Sequence, residues 1–155
     1  LLHVPEPNKS LVKGKDLLEK IDVLMSARLV DGESEFATVC HPEDLEFYID
    51  EKQISQVLIN LGKNALQAVE STNAGKVQMI AGIDENGSKF IDIRDNGPGI
   101  PPEVMDEIFV PFFTTKSEGT GIGLSLSKRV MQLHGGSIQV RSVPDSETVF
   151  RLTFA

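Results

Sequence analysis

The stretch Ile91-Asp92-Ile93-Arg94-Asp95-Asn96-Gly97-Pro98-Gly99-Ile100 passes from alternating apolar and charged residues straight into a turn of glycine and proline. Phe90 to Ile93 has the two-residue period of a strand, which the turn ends. A carboxylate at such a strand end, Asp95, is placed to accept a hydrogen bond from an exocyclic amine, while Gly97 and Gly99 let a flat ring approach the backbone. Taken alone, Asn-Gly-Pro-Gly is also an ordinary turn. Its meaning depends on the elements around it.

Upstream, Val77 to Ile83 forms a second β-rich run, and Asp84-Glu85-Asn86-Gly87 between the two runs carries the Asn-Gly pair of a tight hairpin. Antiparallel pairing is expected. Before them, Asp50 begins a long helical pattern with Ile54, Val57, Leu58, Leu61, Ala65, Leu66 and Val69, broken at Asn73-Ala74-Gly75. Phe36 to Cys40 and Leu45 to Ile49 read as short strands around the turn His41-Pro42-Glu43-Asp44. Lys15 to Arg28 places Leu17, Leu18, Ile21, Leu24, Met25 and then Leu29 at helical spacing. Residues 1–10, with Pro5, Pro7 and Asn8, read as an extended connector from a missing upstream domain.

Downstream, Pro101 to Ile108 reads as a short helix with proline at its start, and Val110 to Gly119 as a surface loop. Gly121 to Leu133 is helical again, stopped by Gly135-Gly136. Ile138 to Val143 and Thr148 to Phe154 alternate as a closing hairpin. This order predicts an α+β fold, a two-layer α/β sandwich whose strands gather into one mixed, mainly antiparallel sheet with helices on one face.

Composition narrows the function. The chain has 155 residues, 15 basic against 23 acidic side chains and a net charge of −8, with 40% hydrophobic residues. That suits one domain with its own core. A pI near 4.8 argues against nucleic acid, whose phosphates an acidic surface repels. No apolar run approaches the ~20 residues a membrane helix needs. Cys40 is the single cysteine, which excludes a disulfide framework and a zinc cluster and suits a reducing, cytoplasmic compartment.

Three further clusters carry chemistry. In Asn60-Leu61-Gly62-Lys63-Asn64-Ala65 the two asparagines are four apart, so their amides leave the same helical face. A carboxamide oxygen is a hard neutral acceptor suited to Mg²⁺ beside substrate phosphates, although two solvated asparagines would look the same. Gly119-Thr120-Gly121-Ile122-Gly123-Leu124-Ser125 opens a helix with exposed amides, an anion site that is neither a Rossmann fingerprint nor a P-loop. Phe109-Val110-Pro111-Phe112-Phe113-Thr114-Thr115-Lys116 combines phenylalanines that suit core plugs with a lysine able to reach a terminal phosphate.

In order and spacing these four clusters resemble the ATP-binding catalytic domain of two-component sensor histidine kinases, in the superfamily that also holds gyrase, the Hsp90 chaperones and mismatch-repair ATPases (the GHKL superfamily, Bergerat fold). The resemblance runs from about Leu11 to Ala155. Asn60 to Ala65 is similar to the N box, Asp95 to Ile100 to the G1 box, Phe109 to Lys116 to the F box and Gly119 to Leu124 to the G2 box. It implies that residues 11–155 are one catalytic domain, with ATP and Mg²⁺ as cofactors. Asn64 would bind the metal, supported by Asn60. Asp95 would read the adenine amine, with Gly99 and Thr148 ordering a water against the same base. Gly121, Gly123 and Leu124 would cover the phosphates, and Val110 to Thr120 would form a lid with Lys116 near the γ-phosphate. Lys63, Gly97, Ile100, Phe109, Thr120 and Ile122 complete the implied nucleotide contacts, and Asn64 and Lys116 the catalytic pair. Two positions depart from the family pattern: Glu147 stands where glycine is expected, and Gln67 where many relatives carry a base.

The hydrolytic branches of that superfamily place a glutamate one turn before the metal-binding asparagine. Here the position is Asn60, and an amide takes no proton at neutral pH. The resemblance therefore implies transfer rather than hydrolysis, with the γ-phosphoryl group passing to a histidine on a separate helical dimerisation domain and from there to a response regulator. A nucleotide-gated module without catalysis, or an ATPase of the same superfamily, are the alternatives. His3, His41 and His134 lack the helical His-Glu or His-Asp setting of a phosphoacceptor, and His134, at a helix end, would favour the dipole as an imidazolium.

Overall fold

Two apolar stripes at helical spacing meet one side of a twisted sheet and make the core. The computed structural model describes residues 3–29, 34–113 and 123–155. Helix α1 (Gly14–Ser26) buries Leu17, Leu18, Ile21 and Met25. Helix α2 (Glu51–Ala68) buries Ile54, Val57, Leu58, Leu61 and Ala65. Leu24 was expected on the α1 stripe but is 49% exposed, because the buried positions already form a complete face without it. Asp50 caps α2: its Oδ1 accepts from the Gln53 N–H at 3.0 Å, satisfying one of the donors that a helix start leaves open.

The strands are β1 (Ser10–Lys13), β2 (Ser34–Cys40), β3 (Glu46–Ile49), β4 (Gly75–Ile83), β5 (Lys89–Asp95), β6 (Ser137–Val143) and β7 (Glu147–Thr153). Five of them form a sheet in the order β2-β4-β5-β7-β6. Only the β2 and β4 pair is parallel, as its long crossover through β3 and α2 permits. Val77, Met79 and Ala81 of β4 and Ile91 and Ile93 of β5 point at the helices and are buried. Helix α3 (Gly123–Leu133) lies beside α2 on the same layer and adds Val130 and Met131 to the core. The helix and sheet layers follow the expected α+β sandwich.

The expectation of a single sheet needs correcting. β3 does not join the main sheet but pairs antiparallel with β1, with Leu11 opposite Tyr48. Four residues, Ser10-Leu11-Val12-Lys13, are too few to show a strand period, so the sequence conceals β1. Residues 3–9 lack regular structure but are tied down. The Asn8 N–H donates to Asp50 Oδ2 at 2.9 Å, and Gln53 Nε2 donates to the Pro5 carbonyl at 2.9 Å. One helix end differs from expectation: α2 stops at Ala68, five residues before Asn73. The short helix expected at Pro101 to Ile108 is a 3-10 helix over Pro102–Glu107.

Candidate functional site

At one end of the sheet, the strand register sets three polar side chains in a row on the helix-facing side. Asp95 ends β5 opposite Thr148 of β7, and Thr148 stands opposite Ser142 of β6. Asp95 and Thr148 are buried at 6% and 7% exposure, in positions where the strand pattern otherwise calls for apolar residues. Such residues hold their place only when hydrogen-bonded. Asp95 Oδ1 accepts from the Gly97 N–H at 2.9 Å, which draws the turn back over the strand end.

The turn itself is fixed by protein contacts. A Cβ at Gly97 would lie 2.7 Å from the Ala68 carbonyl, so the turn rests against the C-terminal end of α2. Gly99 has φ +87°, and a Cβ there would lie 2.9 Å from Ser142 Oγ. Asn96 faces away from this row. Its Oδ1 accepts from the Lys76 N–H at 2.7 Å and its Nδ2 donates to the Ala74 carbonyl at 3.0 Å, tying β5 to the loop that enters β4.

Ser142 was missing from the sequence reading. Its Oγ accepts from the Ile100 N–H at 2.8 Å and lies 3.0 Å from Thr148 Oγ1 and 3.3 Å from the Glu147 carbonyl. The signal was present: Ile138, Val140 and Ser142 share one face of β6, and a serine closing an apolar row needs a partner. Glu147 is explained by the same alternation. Its side chain turns to the open face, 3.0 Å from Arg141 and 3.9 Å from Arg94, away from the Thr148 hydroxyl. Gln67 is exposed on α2.

On α2, Asn60, Lys63 and Asn64 are half-buried. Asn60 Nδ2 donates to Ser127 Oγ at 3.4 Å. The start of α3 presses on the same amide, since a Cβ at Gly123 would overlap the Asn60 carboxamide. Leu124 packs against the core. Phe109 meets Phe150 edge to face at 6.4 Å, with the Lys128 ammonium 5.4 Å from its ring centre, so it anchors the segment before 114–122 in the core. Phe112 is 63% exposed with φ +69°. Lys116, Thr120, Gly121 and Ile122 lie outside the described residues. Of the candidate residues, Asp95, Gly97, Gly99, Ile100 and Thr148 lie at the sheet end, and Asn60, Lys63, Asn64, Gly123 and Leu124 lie on α2 and the start of α3.

The histidines stand apart from it. His3 and His41 are exposed. His134, 4% exposed, accepts from the Asp50 N–H at Nε2 (3.1 Å) and has Nδ1 2.8 Å from the Val130 carbonyl. Through these two contacts the ring joins α3 to the start of α2. Burial alone would raise the Asp50 carboxyl, but the Gln53 and Asn8 N–H groups outweigh it and hold that carboxyl below the usual value.

Among the described residues no three His, Cys, Asp or Glu side chains gather to hold a metal ion, and no helix is long and apolar enough to cross a membrane. The carboxamide oxygens of Asn60 and Asn64 are hard neutral donors of the kind that fits Mg²⁺.

A layer of helices over a mainly antiparallel sheet, with a buried carboxylate at a strand end, defines an α+β sandwich. Residues 49–155 match the family described as histidine kinase-, DNA gyrase B-, and HSP90-like ATPases, and the chain belongs to that family. Among its relatives is the C4-dicarboxylate transport sensor protein DctB of Rhizobium meliloti (strain 1021), 34% identical over 86% of this chain and 21% of DctB. The chain spans about a fifth to a quarter of the length of DctB, of Sporulation kinase A of Bacillus subtilis (strain 168) and of AtoS of Escherichia coli (strain K12). The catalytic domain of the histidine kinase ThkA superposes with a TM-score of 0.82 at 31% identity, covering 95% of both chains, and ThkA has also been solved in complex with response regulator protein TrrA. Full-length ShkA in complex with AMPPNP superposes at 0.79 with 27% identity, over 99% of this chain and 33% of ShkA.

Proposed function

We propose that this chain is the Mg-ATP-binding catalytic domain of a two-component sensor histidine kinase, and that it passes the γ-phosphoryl group of ATP to a histidine on a separate helical dimerisation domain. The observation that supports this reading is the row at the sheet end, where Asp95 and Thr148 are polar yet buried opposite one another, and Asn60, against which Gly123 closes, is consistent with it. The AMPPNP held by ShkA, a protein of the same fold, supports it further.

In this reading the base sits over Asp95, whose carboxylate accepts from the exocyclic amine. The triphosphate runs toward the N-terminal end of α3, where backbone N–H groups and the helix dipole favour negative charge. Asn64 would hold Mg²⁺, which neutralises phosphate charge when bound, and the family resemblance assigns the γ-phosphate contact to Lys116, which lies outside the described residues. Asn60 offers an amide where water activation would need a carboxylate, and its Nδ2 is turned to Ser127. Phosphoryl transfer then rests on positioning and charge, and the nucleophile comes from another domain. Residues 1–10 are the connector to that domain, the phosphate passes onward to a response regulator, and the reaction belongs to the ATP-rich cytoplasm.

The test has two stages. Calorimetry of the chain with Mg-ATP should give saturable heat, which Asn64→Asp reduces. Mixing the chain with the helical dimerisation domain of its own polypeptide and γ-labelled ATP should then give acid-labile label on histidine. Absence of heat overturns the nucleotide reading. Heat without label on histidine favours a nucleotide-gated module, and steady phosphate release without a partner favours an ATPase.

A further inference from the structure

Ser142 lies beside the base-binding row, and its hydrogen bonds are asymmetric in a way that decides which atoms Thr148 can offer. A serine hydroxyl has one proton and two lone pairs. The Ile100 N–H can only donate, so it occupies one lone pair of Ser142 Oγ at 2.8 Å. The single proton then has two acceptors within reach, Thr148 Oγ1 at 3.0 Å and the Glu147 carbonyl at 3.3 Å. Hydroxyl hydrogen bonds run from about 2.5 to 3.0 Å, so the proton belongs on Thr148 Oγ1. Thr148 accepts there, and its own proton is turned outward, along the row in which Asp95 stands opposite it.

We infer that Ser142 is a specificity-determining positioning residue: by donating to Thr148 Oγ1 it fixes Thr148 as a donor beside the acceptor Asp95, and so selects adenine over guanine. The inference rests on the nucleotide reading above. Adenine presents an exocyclic amine next to a ring nitrogen that only accepts, which is the complement of an acceptor followed by a donor. Guanine presents a carbonyl next to a ring N–H, which sets acceptor against carboxylate and donor against donor. The selection works whether the Thr148 proton reaches the ring nitrogen directly or through one water, because a bridging water passes on the same sense. Gly99 belongs to the same device. Its positive φ and missing Cβ let the turn come down on Ser142 Oγ, which brings the Ile100 N–H into range and takes up one of the two lone pairs that compete for the Thr148 proton.

The experiment is a comparison of Mg-ATP and Mg-GTP dissociation constants for the chain and for Ser142→Ala, with 1-deaza-ATP, which lacks the ring acceptor, as a third probe on the unaltered chain. A residue with only a structural role would weaken both nucleotides together. Ser142→Ala is expected to narrow the preference for ATP by about tenfold, the scale on which mismatched hydrogen bonds discriminate ligands. The unaltered chain is expected to bind 1-deaza-ATP about tenfold more weakly than ATP, a result that needs no variant to fold. An unchanged ATP-to-GTP ratio in a folded Ser142→Ala, or equal binding of ATP and 1-deaza-ATP, overturns the inference while leaving the nucleotide site intact. Absence of Mg-ATP binding by the unaltered chain overturns the nucleotide reading itself.

Discussion

Gly123, the first residue of α3, sits so close to Asn60 of α2 that a Cβ on it would overlap the Asn60 carboxamide. The contact joins the helix start that would face the phosphates to the turn of α2 that precedes Asn64. A methyl group added here has to push either the amide or the end of α3 aside. Gly123→Ala should therefore weaken Mg-ATP binding by about tenfold, read by calorimetry, because one misplaced turn costs oriented contacts at the phosphates. Pairing it with Asn60→Ala, which empties the overlapped space, should recover thermal stability more than affinity. A Gly123→Ala chain that binds Mg-ATP as before would show that the two helices separate freely.

On the opposite side of the sheet, Arg151 pairs in two-pronged fashion with Asp92, at 2.7 and 2.8 Å. Asp92 is 2% exposed, while the guanidinium is raised from its ordinary value chiefly by the hydrogen bond to that carboxylate and stacks 4.1 Å over Phe90. Arg151→Ala leaves the carboxylate buried without its partner. The expected cost is about 3 kcal/mol of unfolding free energy in urea titrations. Replacing both residues, as in Asp92→Leu with Arg151→Leu, should restore most of it, since an apolar pair has no charge to desolvate. Mg-ATP affinity measured well below the unfolding midpoint should stay the same.

Asp50 gives the fold an acid-sensitive point. Its carboxyl is held low by the Gln53 and Asn8 N–H groups in spite of burial, so the folded form releases its proton more readily than the unfolded one. The associated stability is complete above the unfolded value of about 4 and is lost as pH falls through the lower folded value. Asp50→Asn still caps the helix, because asparagine is an equal cap, but has no proton to take up. Urea midpoints between about pH 5 and pH 3 should therefore fall less steeply for Asp50→Asn than for the unaltered chain. Parallel slopes would mean that the carboxylate is not the group responsible.

The long elements were legible because their apolar residues repeat often enough to fix a period. Ile54, Val57, Leu58 and Leu61 announce α2, and the Asn-Gly pair at 86–87 announces the hairpin of β4 and β5. β1 was hidden by its length, and its pairing with β3 by the distance along the chain between partners such as Leu11 and Tyr48, which leaves no local trace. In the candidate site, Asn60, Asn64, Asp95 and Gly123 stand out as residues whose chemistry the surrounding pattern does not need. Ser142 and His134 were undervalued for the opposite reason. Each looks ordinary in sequence, and its importance comes from partners far along the chain, Ile100 for one and Asp50 for the other. Long-range hydrogen bonds of this kind depend on the register of finished strands and helices.

Asp95 offers the sharpest test of how the base is read. One carboxylate oxygen accepts from the Gly97 N–H, and a carboxylate can only accept from whatever else meets it. In Asp95→Asn the amide oxygen keeps the Gly97 bond and the turn with it, so stability should change by no more than about 1 kcal/mol. The amide NH₂ must then point toward the base, setting donor against the donor amine of adenine. Mg-ATP affinity should fall about 100-fold, the magnitude of a desolvated polar group left facing its own kind. Mg-GTP should lose much less, because its carbonyl can accept from the new NH₂, so the change in the ratio separates base reading from general damage. Equal losses for the two nucleotides would mean that the carboxylate organises the turn without touching the base.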